Sequence, residues 1–442
     1  MRIAIVSDTH LGYARGTSRG EDAFAGFRQA VEGIIQEKPD VILHPGDLFD
    51  HKIPEQEVWD ECFTLFRILQ RAPSPENISI THFPREGDAN AFSFQGIPVI
   101  AIAGTHEYRA KGLTNALHVL HTGNFLVCLH ASHVEVEKKG PGGETEKVAI
   151  HGMPGIPEKR ALEALKLYNP QPKAGMPNLL VLHQSIKEFL PSKDDMVATI
   201  GLEDLPSGFD LLVNGHLHWT SLTEWGGKRL IIPGSTVFTQ MKRLEGQKEK
   251  GWYLYDTRTR ELVFHRLPEQ RKLYYHCLKF KDARPENILK RCREIISKDL
   301  TSHVGLLPLY RIKLKGTLAK GYSQADVDLG KVLLEFSGKA LFSPAKRFNG
   351  SPFVFKVEEL RALHASKRSI AQMGLGLLEQ NVNQTNAKDR MDVKTLFELL
   401  EDKQNLERIV AQLEQGELIQ APDPGNAPIL PSKIVEPQQR LS

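Results

Sequence analysis

Ile3 to Gly12 reads IAIVSDTHLG, with Asp8 and His10 one residue apart behind a short apolar run. In an extended segment residues two apart share a face. Both metal donors can therefore project together from the C-terminal end of a strand, where open α/β sheets place their ligands. One such pair means little, but the arrangement recurs. Gly46-Asp47 follows the run inside Asp40 to Asp47, Gly104-Thr105-His106-Glu107 follows Pro98 to Ala103, His183 closes Leu179 to His183, and Gly215-His216-Leu217-His218 follows Asp210 to Asn214. Carboxylate and imidazole donors suit manganese, iron or zinc, and the lack of cysteine near these motifs argues against a structural zinc site. A bridging carboxylate among several histidines is what a two-metal phosphoesterase requires. Its metals neutralise phosphate charge, lower the pKa of a bound water and hold that water for in-line attack.

Strands must carry these donors and helices must cover the strands. Phe24, Phe27, Val31, Ile34 and Ile35 recur near helical spacing and predict a helix over 21–37. Trp59, Cys62, Phe63, Phe66 and Leu69 predict a second, opened by Pro54. From Pro73 to Gly96 the periodicity is lost among Pro, Ser, Asn and Gly, which predicts a surface insertion over about 73–97. Further apolar runs at Phe125 to Leu129, Val148 to His151, Leu230 to Ile232 and Trp252 to Tyr255 predict strands. Alternating elements that give way to a strand-rich stretch favour two packed sheets with helices outside, an α/β arrangement, over a simple doubly wound sheet.

The style changes near Leu267. Strands are predicted at Tyr274 to Phe280, Tyr310 to Lys315 and Ala345 to Phe348, with helices at Arg284 to Lys298 and Asp326 to Phe336, a small α+β domain. Beyond Phe355 the pattern is helical. Val393, Leu396, Phe397 and Leu400, then Leu406, Ile409, Val410 and Leu413, follow the i, i+3, i+4, i+7 rule. The expected division is 1–268, 269–350, 351–420 and a disordered, Pro-, Gln- and Asn-rich tail over 421–442.

The net charge of +3 is unevenly spread. Between Lys242 and Gly350 there are 24 Lys and Arg against 12 Asp and Glu, a surplus of +12 that leaves −9 for the remainder. Such asymmetry points to a polyanion-facing module on an acidic body. No apolar run is long enough to span a membrane, and the N-terminus enters a strand without a secretory h-region, so a cytoplasmic protein is expected. The 4 cysteines, scattered without a C-x-x-C, read as reduced.

The order D-x-H, GD, G-x-H-E, H, G-H-x-H resembles the calcineurin-like metallophosphoesterase family. Within it GDLFDHKIP, LHQSI, VNGHLH and PGST resemble the SbcD-type DNA double-strand-break repair nucleases, the nuclease subunit partnered with an SMC-like ABC-type ATPase. The likeness is strong over about residues 1 to 265 and rests on layout beyond. It implies a four-layer, two-sheet sandwich flanked by helices, with a basic DNA-capping domain and a helical ATPase-binding segment. One divalent metal, most simply manganese, would be held by Asp8, His10, Asp47 and His218. A second would share Asp47 and take His183 and His216. His106 would face the scissile phosphate as a general acid. The family's third motif usually reads GNH, its Asn ligating the second metal. Thr105 stands there instead, and a neutral hydroxyl is a poorer ligand. The family also tends to place a His shortly after GD, where this chain has Asp50 and then His51, a candidate accessory ligand.

By resemblance the chain is a manganese-dependent DNA nuclease, a 3′–5′ double-strand exonuclease and a single-strand and hairpin endonuclease. It would act in break processing as a homodimer formed through helices around Phe24 and Phe63. Its ATPase would be docked by the eight apolar residues from Val393 to Leu413. Two other readings stay open: a small-molecule or phosphoprotein phosphoesterase on the same metal scaffold, and a weakly cleaving scaffold that tethers DNA ends.

Overall fold

The computed structural model describes residues 1–110, 112–190 and 199–349, together with 375 and 379. Apart from 375 and 379, the expected ATPase-binding segment 351–420, with Val393 to Leu413, lies outside the described residues, as does the tail. Met1–Arg347 forms one compact unit.

A six-stranded sheet has the order Leu262–Arg266, Gly251–Asp256, Arg2–Ile5, Val41–His44, Val99–Ile102, Val127–Leu129. An eight-stranded sheet runs Ser221–Trp225, Lys228–Ile232, Leu211–Asn214, Asn178–Leu182, Thr145–Gly152, Ser132–Lys139, Ile78–Phe83, Asn90–Phe92. Period-2 alternation explains the layering. Ile3 and Ile5 join Leu43, Ile100, Val136, Ile150, Val181 and Val213 in the core between the sheets. Ala4 and Val6 point the other way, into a core shared with Phe24, Phe27 and Val31 of helix Asp22–Glu37 and with Cys62 and Phe66 of helix Gln56–Arg71. The second sheet's outer face buries Leu180, Leu182 and Leu212 against Ala161 and Leu165 of helix Glu158–Tyr168. The result is helix, sheet, sheet, helix: a mixed α/β architecture consistent with the four-layer metallophosphoesterase sandwich.

Residues 73–97 are not an irregular insertion. They hold Ile78–Phe83 and Asn90–Phe92, and the first pairs antiparallel with Ser132–Lys139, Ile80 opposite Val136. Only Ile80 and His82 of the first strand are buried, and no residue of the edge strand Asn90–Phe92 is, so no apolar run marks them. The expected helix at Asp326 to Phe336 is a 3₁₀ turn, Gln324–Asp326, followed by a shorter helix, Leu329–Glu335, capped where Asp328 accepts from Gly330 N at 3.1 Å.

Leu273–Ala283, Leu309–Leu318 and Leu341–Asn349 form a third sheet. Tyr310, Ile312 and Leu314 are buried, while Arg311, Lys313 and Lys315 alternate with them on the other face. Helix Pro285–Thr301 covers the buried side, its Asp299 receiving the Tyr310 hydroxyl at 2.8 Å.

What matters for function is where the strands end. Arg2–Ile5, Val41–His44 and Val99–Ile102 are parallel in one sheet, as are Asn178–Leu182 and Leu211–Asn214 in the other. Their carboxyl ends meet, joined by a parallel bridge between Ser7 and Ser235.

Candidate metal centre

Each motif leaves its strand through a sharp turn. Asp8, His10, Asp47 and His216 all adopt left-handed backbone, with φ of 51°, 46°, 52° and 74°. Such conformations cost about 1–3 kcal/mol each for residues with side chains and gather at functional sites. The glycines beside them make room. A Cβ on Gly104 would lie 2.1 Å from Asp47 Oδ1, and one on Gly46 would lie 2.6 Å from His183 Nδ1.

These turns bring the sequence-predicted donors together. Asp8, His10, Asp47 and His218 form one group whose donor atoms lie within 4.8 Å of one another, and Asp47, His183 and His216 form a second. Asp47 belongs to both. A third group joins His10, His106 and Asp50. Thr105 sits at the edge, its hydroxyl 3.5 Å from Asp47 Oδ2. His51 is 71 % exposed, 3.5 Å from Asp50 Oδ2, and enters none of the groups. Asp50 enters instead: its carboxylate lies 3.1 Å from His10 Nδ1, and its carbonyl lies 2.6 Å from His106 Nδ1.

Hydrogen-bond accounting tests whether the donors fit a cation. His183 Nδ1 is 2.7 Å from the Pro45 carbonyl, which only an N–H can satisfy, so the neutral ring's lone pair is on Nε2. That Nε2 is buried, without a hydrogen-bond partner among the described residues, and 3.1 Å from Asp47 Oδ2. Two acceptors at that distance require a proton or a cation between them. His10 repeats the pattern: Nδ1 donates to Asp50, and Nε2 lies 3.2 Å from His218 Nε2. His218 Nδ1 is engaged by the Thr239 hydroxyl. Lone pairs that converge in a buried site while each ring's far nitrogen is tied down are the arrangement of a metal-ligating imidazole with its outer partner. The residues fit divalent cations.

Charge follows the same geometry. Burial opposes protonation of His183, but the Asp47 carboxylate outweighs it and pushes the imidazole up to about 9. Burial likewise opposes charge on Asp47, yet His183 and His10 hold its carboxyl well below the usual range. Burial pushes Asp8 up to about 6 and His216 down to about 4, and burial with His10 beside it puts His218 well below its ordinary value. The site is a mix of charged and neutral donors in a dry environment.

Three supporting residues carry no ligand-like spacing. Glu107, though part of the third motif, turns away from the donors and accepts from the backbone N–H groups of Asp47 (3.1 Å), Phe49 (2.8 Å) and Gly104 (2.7 Å). It locks the second and third motif loops together. Lys250 is fully buried against Glu245 at 2.9 Å and donates to the His218 carbonyl and Ser235 Oγ, each at 2.8 Å. A Glu and a Lys five residues apart after the PGST motif offer no sequence signal for a buried pair. Asp50 had one, its place directly after GDLF.

Residues 1–220 match the calcineurin-like phosphoesterase family. The chain is 29% identical over 253 residues to the DNA double-strand break repair protein Mre11 of Sulfurisphaera tokodaii, covering 57% of each chain. It is 28% identical over 264 residues to the protein of that name from Saccharolobus solfataricus, covering 58% of this chain and 60% of that one. The double-strand break repair protein mre-11 of Caenorhabditis elegans is 28% identical over 314 residues, covering 61% of this chain and 41% of its own. The matched region thus spans between 41% and 60% of these relatives' lengths.

Proposed function

The chain carries a calcineurin-like metallophosphoesterase domain over residues 1–220, and from that premise we propose that it is a two-metal phosphodiesterase that cuts DNA at double-strand breaks. The observation that carries the reading is the convergence of Asp8, His10, Asp47, His183, His216 and His218 on two donor groups sharing Asp47. The double-strand-break repair proteins it resembles favour DNA as the substrate.

In this reading Asp8, His10, Asp47 and His218 hold one divalent ion, and Asp47, His183 and His216 hold the other, with the Thr105 hydroxyl at its margin. When bound, the ions, manganese by preference, supply charge neutralisation for the phosphate and an acidified water. The protein's own groups do the rest. The His106 side chain is 41 % exposed at the rim, with Nδ1–H tied to the Asp50 carbonyl, so a second proton, on Nε2 of the imidazolium, is the one it would deliver to the leaving oxygen. Asp50 orients that acid and His10 together. The open face of the third sheet, with Tyr275 and Lys279 beside Arg311, Lys313 and Lys315, tracks the DNA backbone. In this reading 269–350 is a DNA-facing cap, and the resemblance carried by the motifs makes 351–420 the segment that would dock an SMC-like ATPase. Phe24 is buried, so a homodimer would use the half-buried Trp59 and Phe63 side of helix Gln56–Arg71. The polarity proposed is 3′–5′ on duplex ends, with endonuclease activity on single strands and hairpins, in the cytoplasm.

The test is cleavage of end-labelled duplex and hairpin DNA with manganese, magnesium or zinc, beside His106→Ser and Thr105→Asn. Manganese-dependent cleavage, abolished in the first variant and kept or raised in the second, is expected. Tight DNA binding without cleavage under any metal would favour an end-tethering scaffold, the reading that Thr105 supports. Hydrolysis of soluble phosphomonoesters without salt-sensitive DNA binding would favour a small-molecule phosphoesterase.

A further inference from the structure

Ser185, two residues after His183, is nearly buried, and its hydroxyl lies between two groups. It is 2.7 Å from Glu158 Oε1 and 3.1 Å from His216 Nε2. We propose that Glu158 and Ser185 are positioning residues that hold His216 in the one tautomer able to present Nδ1 to a divalent cation. The proposal rests on the two-metal reading and names residues outside its ligand set.

A carboxylate can only accept, and a serine hydroxyl has a single proton. That proton therefore lies on the Ser185–Glu158 bond. The Ser185 oxygen then accepts, and His216 Nε2 must be the donor. A neutral imidazole has one N–H, so the lone pair is on Nδ1, on the side of the ring left for the group that His216 forms with Asp47 and His183.

The other three histidines of the cluster are tied by the Pro45 carbonyl, the Asp50 carboxylate and the Thr239 hydroxyl. His216 is tied through a hydroxyl to a carboxylate on a separate element. Glu158 lies in the first turn of helix Glu158–Tyr168, which Ala161 and Leu165 anchor in the core. His216 needs the restraint, since its φ of 74° puts it in a strained turn and its ring is less enclosed than those of His183 and His218. Partners of this kind typically change metal affinity 10–100-fold when removed.

The experiment is manganese titration of the full chain, followed by calorimetry and by the electron paramagnetic resonance of the free ion, with thermal melts alongside. Wild type is expected to take up two ions. Ser185→Ala should weaken one of the two by about 10–100-fold while leaving the other unchanged. Ser185→Thr keeps the hydroxyl and should restore it. Glu158→Ala frees the serine proton to turn towards Nε2 and should weaken the same ion by about tenfold. Glu158 is exposed, so this variant carries the test should Ser185→Ala fail to fold. Two ions bound by Ser185→Ala at wild-type affinity would overturn the relay, as would a threonine variant no better than alanine. Fewer than two ions in the wild type would overturn the two-metal reading itself, and the relay with it.

Discussion

Replacing Gly104 by alanine puts one methyl group against the carboxylate that both donor groups share. The ideal Cβ falls 2.1 Å from Asp47 Oδ1, 2.3 Å from Asp47 N and 2.7 Å from Asp47 Cγ. Ordinary contact begins near 3.4 Å, so the side-chain oxygen must retreat by about 1.3 Å and the backbone nitrogen by about 1.1 Å. Neither can move freely. Asp47 N is held by Glu107 at 3.1 Å, and Asp47 Oδ1 accepts from His106 N at 2.8 Å. Overpacking of this kind costs about 1–3 kcal/mol. Displacement by about 1 Å of a group that positions reacting atoms costs on the order of 100-fold in rate. Gly104→Ala is therefore expected to fold with a melting point lowered by several degrees, and to lose about 100-fold in both manganese affinity and cleavage. Gly20→Ala is the control, because its nearest neighbour would be at 3.4 Å. Calorimetric manganese titration beside thermal melts decides the matter. Wild-type affinity in Gly104→Ala would show that Asp47 relaxes without consequence and would refute the reasoning.

Two further outcomes follow from the buried charges. Lys250→Met leaves Glu245 buried and uncompensated and should cost about 3–5 kcal/mol, most of it recovered by adding Glu245→Leu; equal melting points for the single and double variants would show that the pair is not coupled. In the metal-free protein the His183 imidazole is raised from 6.5 to about 9, so the stability it contributes is complete below pH 6.5 and is lost as pH rises through 9. Manganese displaces that proton, so its affinity should strengthen with pH across the same window, with proton release visible as a dependence of the binding heat on buffer. Pure pH-independence between 6.5 and 9 would mean that His183 binds no cation.

The donor set was legible because it is local. Each candidate donor follows a short apolar strand, and Gly46, Gly104 and Gly215 stand where a Cβ would collide. The order of Asp8, His10, Asp47, His183, His216 and His218 along the chain marked them as candidate donors, strand and helix periods favoured two packed sheets with helices outside, and the family resemblance implied the ligand set and the four layers. Strands buried on one side only were less legible. Ile78–Phe83 and Ser132–Lys139 lie inside the eight-stranded sheet, yet Ser79, Thr81, Glu135 and Glu137 on their other side look like loop until they are paired.

What the tertiary structure decided is who holds whom. His10 is tied to Asp50, 40 residues away, His183 to the Pro45 carbonyl, 138 away, and Glu107 to backbone groups up to 60 away. Such partners come from different strands whose ends meet only when the sheets pack, so no local period encodes them. The same holds for Lys250 and Glu245, residues that a solvated surface could equally display and that only enclosure beside the His218 carbonyl makes a buried pair. The residue types along the chain determine which atoms can donate electron pairs. Packing determines which lone pairs remain free to do so, because a histidine offers its second nitrogen only when something else has claimed the first.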